Sequence, residues 1–334
     1  MAPIEEKSNE LRERWLTSDG RALQQRVFRW LSRGGPIVLG EIPRYNGRLD
    51  FRGMRFLSQD RGEVARVGGL SARRVRGNLL AHNARVESAD FSYAEFKESR
   101  FIDCEFTNCR FFRTTFVDLR MWGTALSFCE FERCDLRSAV LGGVSTTGRA
   151  CSHKAVRFLD CDLRRSLTSE ATFSRSSFEN SKFCHVDVKN ARFIDCSFKG
   201  LIDDATFYNE AQYGDAMQNA DFSNARFRMT ALRRYNFREN DGTRWPNDPN
   251  HIVVNRYEAV LLRMLDLVRP ENPLSRGPHA VLQSKLKWIG PTQDVGLFSL
   301  LDYDKRPDTQ AFLRSALVQA VTDVGARVIS GDLR

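Results

Sequence analysis

Between Phe96 and Phe116 the chain reads FKESRFIDCEFTNCRFFRTTF, with phenylalanine at positions 96, 101, 106, 111 and 116 and only Phe112 out of step. A helix repeats near 3.6 residues and a strand at 2, so neither accounts for a strict five. Phe91 before this stretch, and Met121, Leu126, Phe131, Leu136 and Leu141 after it, bring the series to eleven large apolar centres in unbroken phase. Two residues before each centre stands a partner that is small in ten cases of the eleven, among them Ala89, Ser99, Cys104, Cys109, Thr114, Cys129 and Cys134; Leu119 is the exception. A large and a small inward residue, separated by outward ones, describe a short strand followed by a corner.

A second register has centres at Phe158, Leu163, Phe173, Phe178, Phe183, Val188, Phe193 and Phe198. A third holds Phe207, Met217, Phe222, Phe227, Leu232 and Phe237. A weaker form begins earlier, with Phe51 and Phe56 and again at Leu70, Val75 and Leu80. Self-similarity at a fixed short period predicts a solenoid. The register breaks at 142–157 and 199–206 read as loops or bulges thrown out of the coil.

The segments ADFSYAEF, CEFTNCRF, CEFERCDL and ADFSNARF resemble the A(D/N)Lxx repeats of the pentapeptide-repeat proteins. The resemblance spans roughly residues 44–245. It implies a mainly β fold, a right-handed four-sided parallel β-helix with one repeat per side and four per coil. Residues twenty apart then lie above one another at the strand spacing of about 4.8 Å, which places Phe91, Phe111 and Phe131 in one interior stack.

An open solenoid end exposes core and unpaired strand edges and needs a cap. Leu23, Val27, Phe28 and Leu31 have helical spacing, with Ser18 or Asp19 as the cap and Gly34, Gly35 and Pro36 as the stop. Trp15 extends this N-terminal helical cap. The expected division is a cap at 1–43, the β-helix at 44–245 and a C-terminal α-helical region at 246–334. In the last region HIVVNRYEAVLLRMLDLV, HAVLQSKLKWIG and PDTQAFLRSALVQAVTDV read as helices, the first with Val253 on its apolar stripe. The resemblance raises a homodimer through these helices as an expectation.

Composition changes the picture in two places. The net charge is +9, and nearly all of it lies in residues 1–85, which carry 17 Lys and Arg against 9 Asp and Glu. Residues 86–237 carry 21 of each. Arg44, Arg48, Arg52, Arg55, Arg73, Arg74 and Arg76 therefore form a candidate basic patch for phosphate or carboxylate partners, or a solvated basic face. Second, six of the eight cysteines (Cys104, Cys109, Cys129, Cys134, Cys161 and Cys196) fall on the small inward position, where a thiol serves as a compact apolar residue. Cys151 and Cys184 fall outside the pattern and are the expected exposed thiols. A zinc site wants closely spaced thiolate pairs, which are absent. No cofactor, metal or catalytic residue is expected. Ser145, Cys151 and His153 are close in sequence, but such spacing is common by chance.

No run of about 18 apolar residues predicts a membrane helix, and the N-terminus has no secretory pattern, so a cytoplasmic protein is expected. The functional expectation is a non-catalytic protein-interaction scaffold. Its candidate binding spot is Trp122 and Ile102, twenty apart and each following a centre, with Arg100, Arg120 and Val117 beside them. The resemblance raises an alternative, a DNA mimic that modulates DNA gyrase in quinolone or toxin resistance, against which the uncharged repeat region and basic N-terminus argue. A bacterial effector with activity in the C-terminal helices is a second alternative. Nucleic-acid binding through the basic patch is possible on charge but not favoured, because the aromatics that would stack bases point inward.

Overall fold

In the computed structural model the described residues are 4–33, 35–36, 42–56, 78–210, 216–290, 292–303 and 306–333. Leu70 and Val75, and Arg73, Arg74 and Arg76, lie outside them. The chain forms two compact units, Met1–Lys182 and Phe183–Arg334.

The five-residue period is a strand of about three residues and a corner. In the first unit the strands pair in parallel with partners twenty residues on, as in Phe101 with Met121, Phe106 with Leu126 and Phe111 with Phe131. Four such ladders make a right-handed four-sided β-helix. Face one carries the inward centres Val86, Phe106, Leu126, His153 and Phe173. Face two carries Phe111, Phe131, Phe158 and Phe178, preceded by Phe51 and Phe91 in the same ring stack. Face three stacks Phe56, Phe96 and Phe116. Face four carries Ala81, Phe101 and Met121.

Each corner is made by the residue two past a centre, which adopts the left-handed region. Tyr93, Glu98, Asp103, Asn108, Arg113 and Asp118 have φ between 51° and 61°. That conformation costs a non-glycine residue roughly 1–2 kcal/mol. The fold offsets it by using the corner amides: the N–H of Tyr93 donates to Phe112 O at 2.7 Å and that of Asp103 to Trp122 O at 2.9 Å. Pairing these amides across the coils is what a narrow dry interior requires.

The small inward residues are more than filler. The hydroxyls of Thr114 and Thr124 donate to Phe91 O and Phe101 O, 23 residues back, at 2.8 and 3.1 Å. The thiols of Cys109, Cys129, Cys134 and Cys161 reach the carbonyls of Val86, Phe106, Phe111 and Phe131 in the same manner, at 3.2–3.7 Å. Cysteine, serine and threonine therefore share this position because each is small and each carries a donor for the neighbouring coil.

Several expectations need correction. At the first break the pairing interval lengthens from twenty to 27 residues, as Leu126 with His153 and Phe131 with Phe158. The chain has re-entered the coil by Ser152 rather than after 157. His153 takes a centre and Cys151 the small position before it, both buried. Cys151 is therefore an interior thiol, and burial pushes its pKa up to about 11. Among the cysteines only Cys184 is half-exposed. A thiol reagent applied to the native protein is expected to modify Cys184 alone at an appreciable rate. Rapid loss of six or more thiols in a spectrophotometric assay would contradict the interior placement. Leu80 is also displaced: it pairs with Arg100 outside the coil, and Ala81 is the centre.

Two helices cap the start of the first unit, α1 (Ile4–Glu13) and α2 (Ser18–Arg33). Val27 and Leu31 are the buried face of α2. Its capping side chain is Thr17 rather than Ser18 or Asp19: Thr17 Oγ1 accepts from Gly20 N at 3.1 Å. Trp15, in the turn between the helices, is buried and donates from Nε1 to Arg52 O. Gly53, at φ +72°, lets α1 approach, since a Cβ there would stand 2.7 Å from the Leu11 backbone.

The second unit has parallel coil strands of its own, paired at uneven intervals. Phe183 pairs with Ile202, Val188 with Phe207, Ile202 with Phe227 and Phe207 with Leu232. At the expected break of 199–206 no loop leaves the coil: the strand Ser197–Asp203 pairs with Asp221–Arg228, with a bulge-like register shift between Ser197 and Lys199. After Trp245 comes a compact α/β module. Its three-stranded antiparallel sheet has His251–Val254 between Gly296–Ser299 and Val328–Ser330. Three helices pack on it: α3 (Tyr257–Leu267), α4 (Arg276–Lys287) and α5 (Pro307–Asp323). Val253 is thus a strand residue, not part of a helical stripe. The module closes the last coil by satisfying its open edge. His251, Ser299 and Asp302 take up the amides and carbonyls of Phe227 and Met229, and Phe237 O accepts from Val295 N.

Candidate protein interface

The outward positions of face four come from three strands in parallel register. Arg100 pairs with Arg120 and Ile102 with Trp122, as the twenty-residue interval requires. The same ladder adds Leu80 before Arg100, and then Val140 and Leu167 after Arg120. None of these three was expected in the spot. Leu80 was taken for an interior residue, and Leu167 was hidden behind the insertion that breaks the count. Val117 lies on face three, one residue past Phe116.

Leu80, Ile102, Trp122 and Val140 are half-buried, and Leu167 is 38% exposed. The base of the insertion covers one edge of the Trp122 indole: a Cβ on Gly143 would stand 2.9 Å from Trp122 Cδ1. Val144, at the outer turn of the insertion, is 43% exposed. The spot is therefore two adjoining columns, Leu80, Arg100, Arg120, Val140 and Leu167 in one and Ile102 and a partly shielded Trp122 in the other. The two arginines differ. Arg120 is tied down, donating from Nη1 to Ser138 O at 2.7 Å and to Leu119 O at 3.1 Å. The half-buried Arg100 guanidinium has no ion-pair partner among the described residues.

The four described arginines of the basic patch each have a partner within the first unit. Asp50 is 4% exposed and binds Arg14 at 2.5 Å and Arg52 at 2.9 Å. Burial alone would raise its pKa, but the two guanidinium groups outweigh that and hold the carboxyl well below the usual carboxylate range. Arg52 also stacks on Tyr45 at 3.3 Å. Arg55 meets Glu95, which Arg12 also reaches. Arg48 donates to Asn108 and Arg44 to Gly47 O. Asp50 and Glu95, each shared between a coil arginine and Arg14 or Arg12, join the helical cap to the first coils.

Ser145, Cys151 and His153 do not converge. His153 Nε2 donates to Leu141 O at 2.7 Å inside the coil, and Ser145 Oγ bonds to Thr147. Among the described residues no group of three or more His, Cys, Asp or Glu side chains could hold a metal ion, and no helix is long and apolar enough to cross a membrane.

A family profile described as pentapeptide repeats matches in 8 copies over residues 82–118 and 161–200. No curated protein matches the chain. Two solved structures are similar. One is HetL from the cyanobacterium Nostoc sp. strain PCC 7120, a pentapeptide repeat protein involved in heterocyst differentiation regulation. It is 14% identical over 60% of this chain and 86% of its own, with a TM-score of 0.26. The other is trypsin-treated QnrB1, a plasmid-mediated fluoroquinolone resistance protein. It is 15% identical over 60% of this chain and 91% of its own, with a TM-score of 0.27.

Proposed function

We propose that this chain, which belongs to the pentapeptide-repeat family, is a non-catalytic scaffold that binds another protein through face four of its first unit. The observation that carries this reading is the apolar cluster of Leu80, Ile102, Trp122, Val140 and Leu167 around Arg100 and Arg120, on a surface where neighbouring faces carry paired charges. On face three the equivalent positions hold the ion pairs Arg137–Asp135 and Arg164–Asp162. An indole among aliphatic side chains with an unpaired arginine beside it is the composition of an interface centre. Arg100 adds a preference for a partner that brings a carboxylate to the rim.

A homodimer through the C-terminal helices would use Leu262 of α3 and Val318 of α5, which are 49% and 40% exposed. Trp122→Ala is expected to weaken partner capture from the native host by at least about fivefold, which is about 1 kcal/mol, with little change in the melting of the coil. Unchanged capture by this variant, together with unchanged capture by Ile102→Asp, would remove face four from the proposal. Inhibition or protection of DNA gyrase in a supercoiling assay at stoichiometric protein would replace it with the gyrase reading.

A further inference from the structure

Where the C-terminal module closes the last coil, it leaves a cavity of about 250 Å³. Its walls are mostly apolar, with Phe227 and Leu232 from the coil and Val281, Ile289 and Leu297 from the module. A cavity of about 150 Å³ holds a benzene molecule, so this one has room for such a ring with a short chain.

The charged groups in the wall are paired with one another, with one exception. Lys285 Nζ meets Asp302 Oδ2 at 3.1 Å, and Asp302 Oδ1 accepts from Met229 N at 2.7 Å. Gln293 Nε2 donates to Val295 O and its Oε1 accepts from Gly290 N, while Ser299 Oγ donates to Phe227 O. The exception is Arg233. Its Nε is shielded from solvent and has no hydrogen-bond partner, and its guanidinium has no carboxylate partner among the described residues. It lies over the Trp288 ring at 4.8 Å. Arg234 at 5.9 Å and Lys287 at 5.4 Å also lie over the Trp288 ring, so this indole is surrounded by cations. A desolvated guanidinium N–H without an acceptor is costly, and the cavity beside it is apolar.

We propose that this cavity binds a small monocarboxylate with an apolar or aromatic body. The body fills the space between Leu232, Val281 and Leu297, and the carboxylate accepts from Arg233 in front of the Trp288 face. Arg is suited to this pairing because its planar fork matches a carboxylate and stacks on an indole at the same time. The Lys285–Asp302 pair, neutral as a unit, closes the inner wall and leaves the charge preference to Arg233.

The test uses the full chain and calorimetric titration with phenylacetate, hexanoate, phenylacetamide and inorganic phosphate. Saturable binding is expected for phenylacetate or hexanoate, and binding at least about tenfold weaker for the uncharged phenylacetamide. Arg233→Gln, a substitution at a half-buried surface position, should remove the preference for the carboxylate. Val281→Phe should abolish binding of either probe by filling the space, with an unchanged circular dichroism spectrum as the check on folding. No saturable binding of either carboxylate by the parent protein would overturn the proposal. So would equal affinity for phenylacetate and phenylacetamide, phosphate binding as tight as phenylacetate binding, or an Arg233→Gln variant that binds unchanged.

Discussion

Phe111→Ala is expected to destabilise the first unit by about 3–5 kcal/mol, and Lys97→Ala by no more than about 0.5 kcal/mol. Phe111 is the middle ring of a three-coil stack, with its centroid 5.2 Å from Phe91 and 4.5 Å from Phe131 and both pairs near parallel. It also meets Phe116 edge-on at 5.3 Å. Removing the ring loses the transfer free energy of a buried aromatic side chain and the ring contacts beyond it, about 0.5–1.5 kcal/mol per pair. The coil cannot collapse into the hole, because its cross-section is held by backbone hydrogen bonds on all four faces. Lys97 points outward and makes only an exposed ion pair with Glu98. Urea unfolding followed by circular dichroism reads both effects as midpoint shifts at constant m. Comparable shifts for the two variants would refute the division into inward and outward positions.

That division was legible because the repeat carries its own control: ten of the eleven centres from Phe91 to Leu141 have a small partner two residues earlier, and both must point the same way. The eleven centres from Phe91 to Leu141 are all buried, and the cysteines at small positions are interior thiols. The pattern failed where a residue type contradicted its position. Ala81 is a centre without bulk, so the larger Leu80 next to it drew the assignment. His153 and Thr168 are polar residues turned inward; the first hid the return of the register before Phe158, and the second left a gap between Leu163 and Phe173. The strand His251–Val254 is a run of four buried residues, and so short an apolar run fits a strand or a helix equally well. Arg233 and Lys285 come from segments far apart in sequence, and no local spacing could bring them to one cavity. The Trp122 and Ile102 pair was visible because it follows directly from the twenty-residue interval. How closely Gly143 meets the Trp122 indole depends on where the insertion folds back, which no spacing gives.

His153 should make the first unit sensitive to acid well before its carboxylates titrate. The side chain is 0% exposed and sits between Leu126 and Phe173 in the face-one stack, with its ring 4.7 Å from that of Phe173. Burial pulls its pKa down from 6.5 to about 4, against the smaller opposing effect of the Leu141 carbonyl. Above about pH 6.5 the imidazole is neutral in both the folded and the unfolded chain, and it contributes no pH dependence. Between pH 6.5 and about 4 the unfolded chain takes up the proton and the folded chain does not. Stability therefore falls with falling pH by up to about 1.4 kcal/mol per unit, about 3 kcal/mol across the window. Below about pH 4 both states are protonated and the loss is complete. His153→Leu keeps a side chain that this stack already accepts at position 126 and cannot titrate. It gives up the hydrogen bond to Leu141 O, worth about 1 kcal/mol, so the variant should equal or trail the parent at pH 8 and exceed it at pH 4.5. Urea midpoints measured every half unit from pH 8 to 4 should show a parent curve bending downward below pH 6.5 and a flatter one for the variant. Parallel curves would mean that His153 is hydrated or can gain its proton without unfolding, and that the face-one stack is open at this coil.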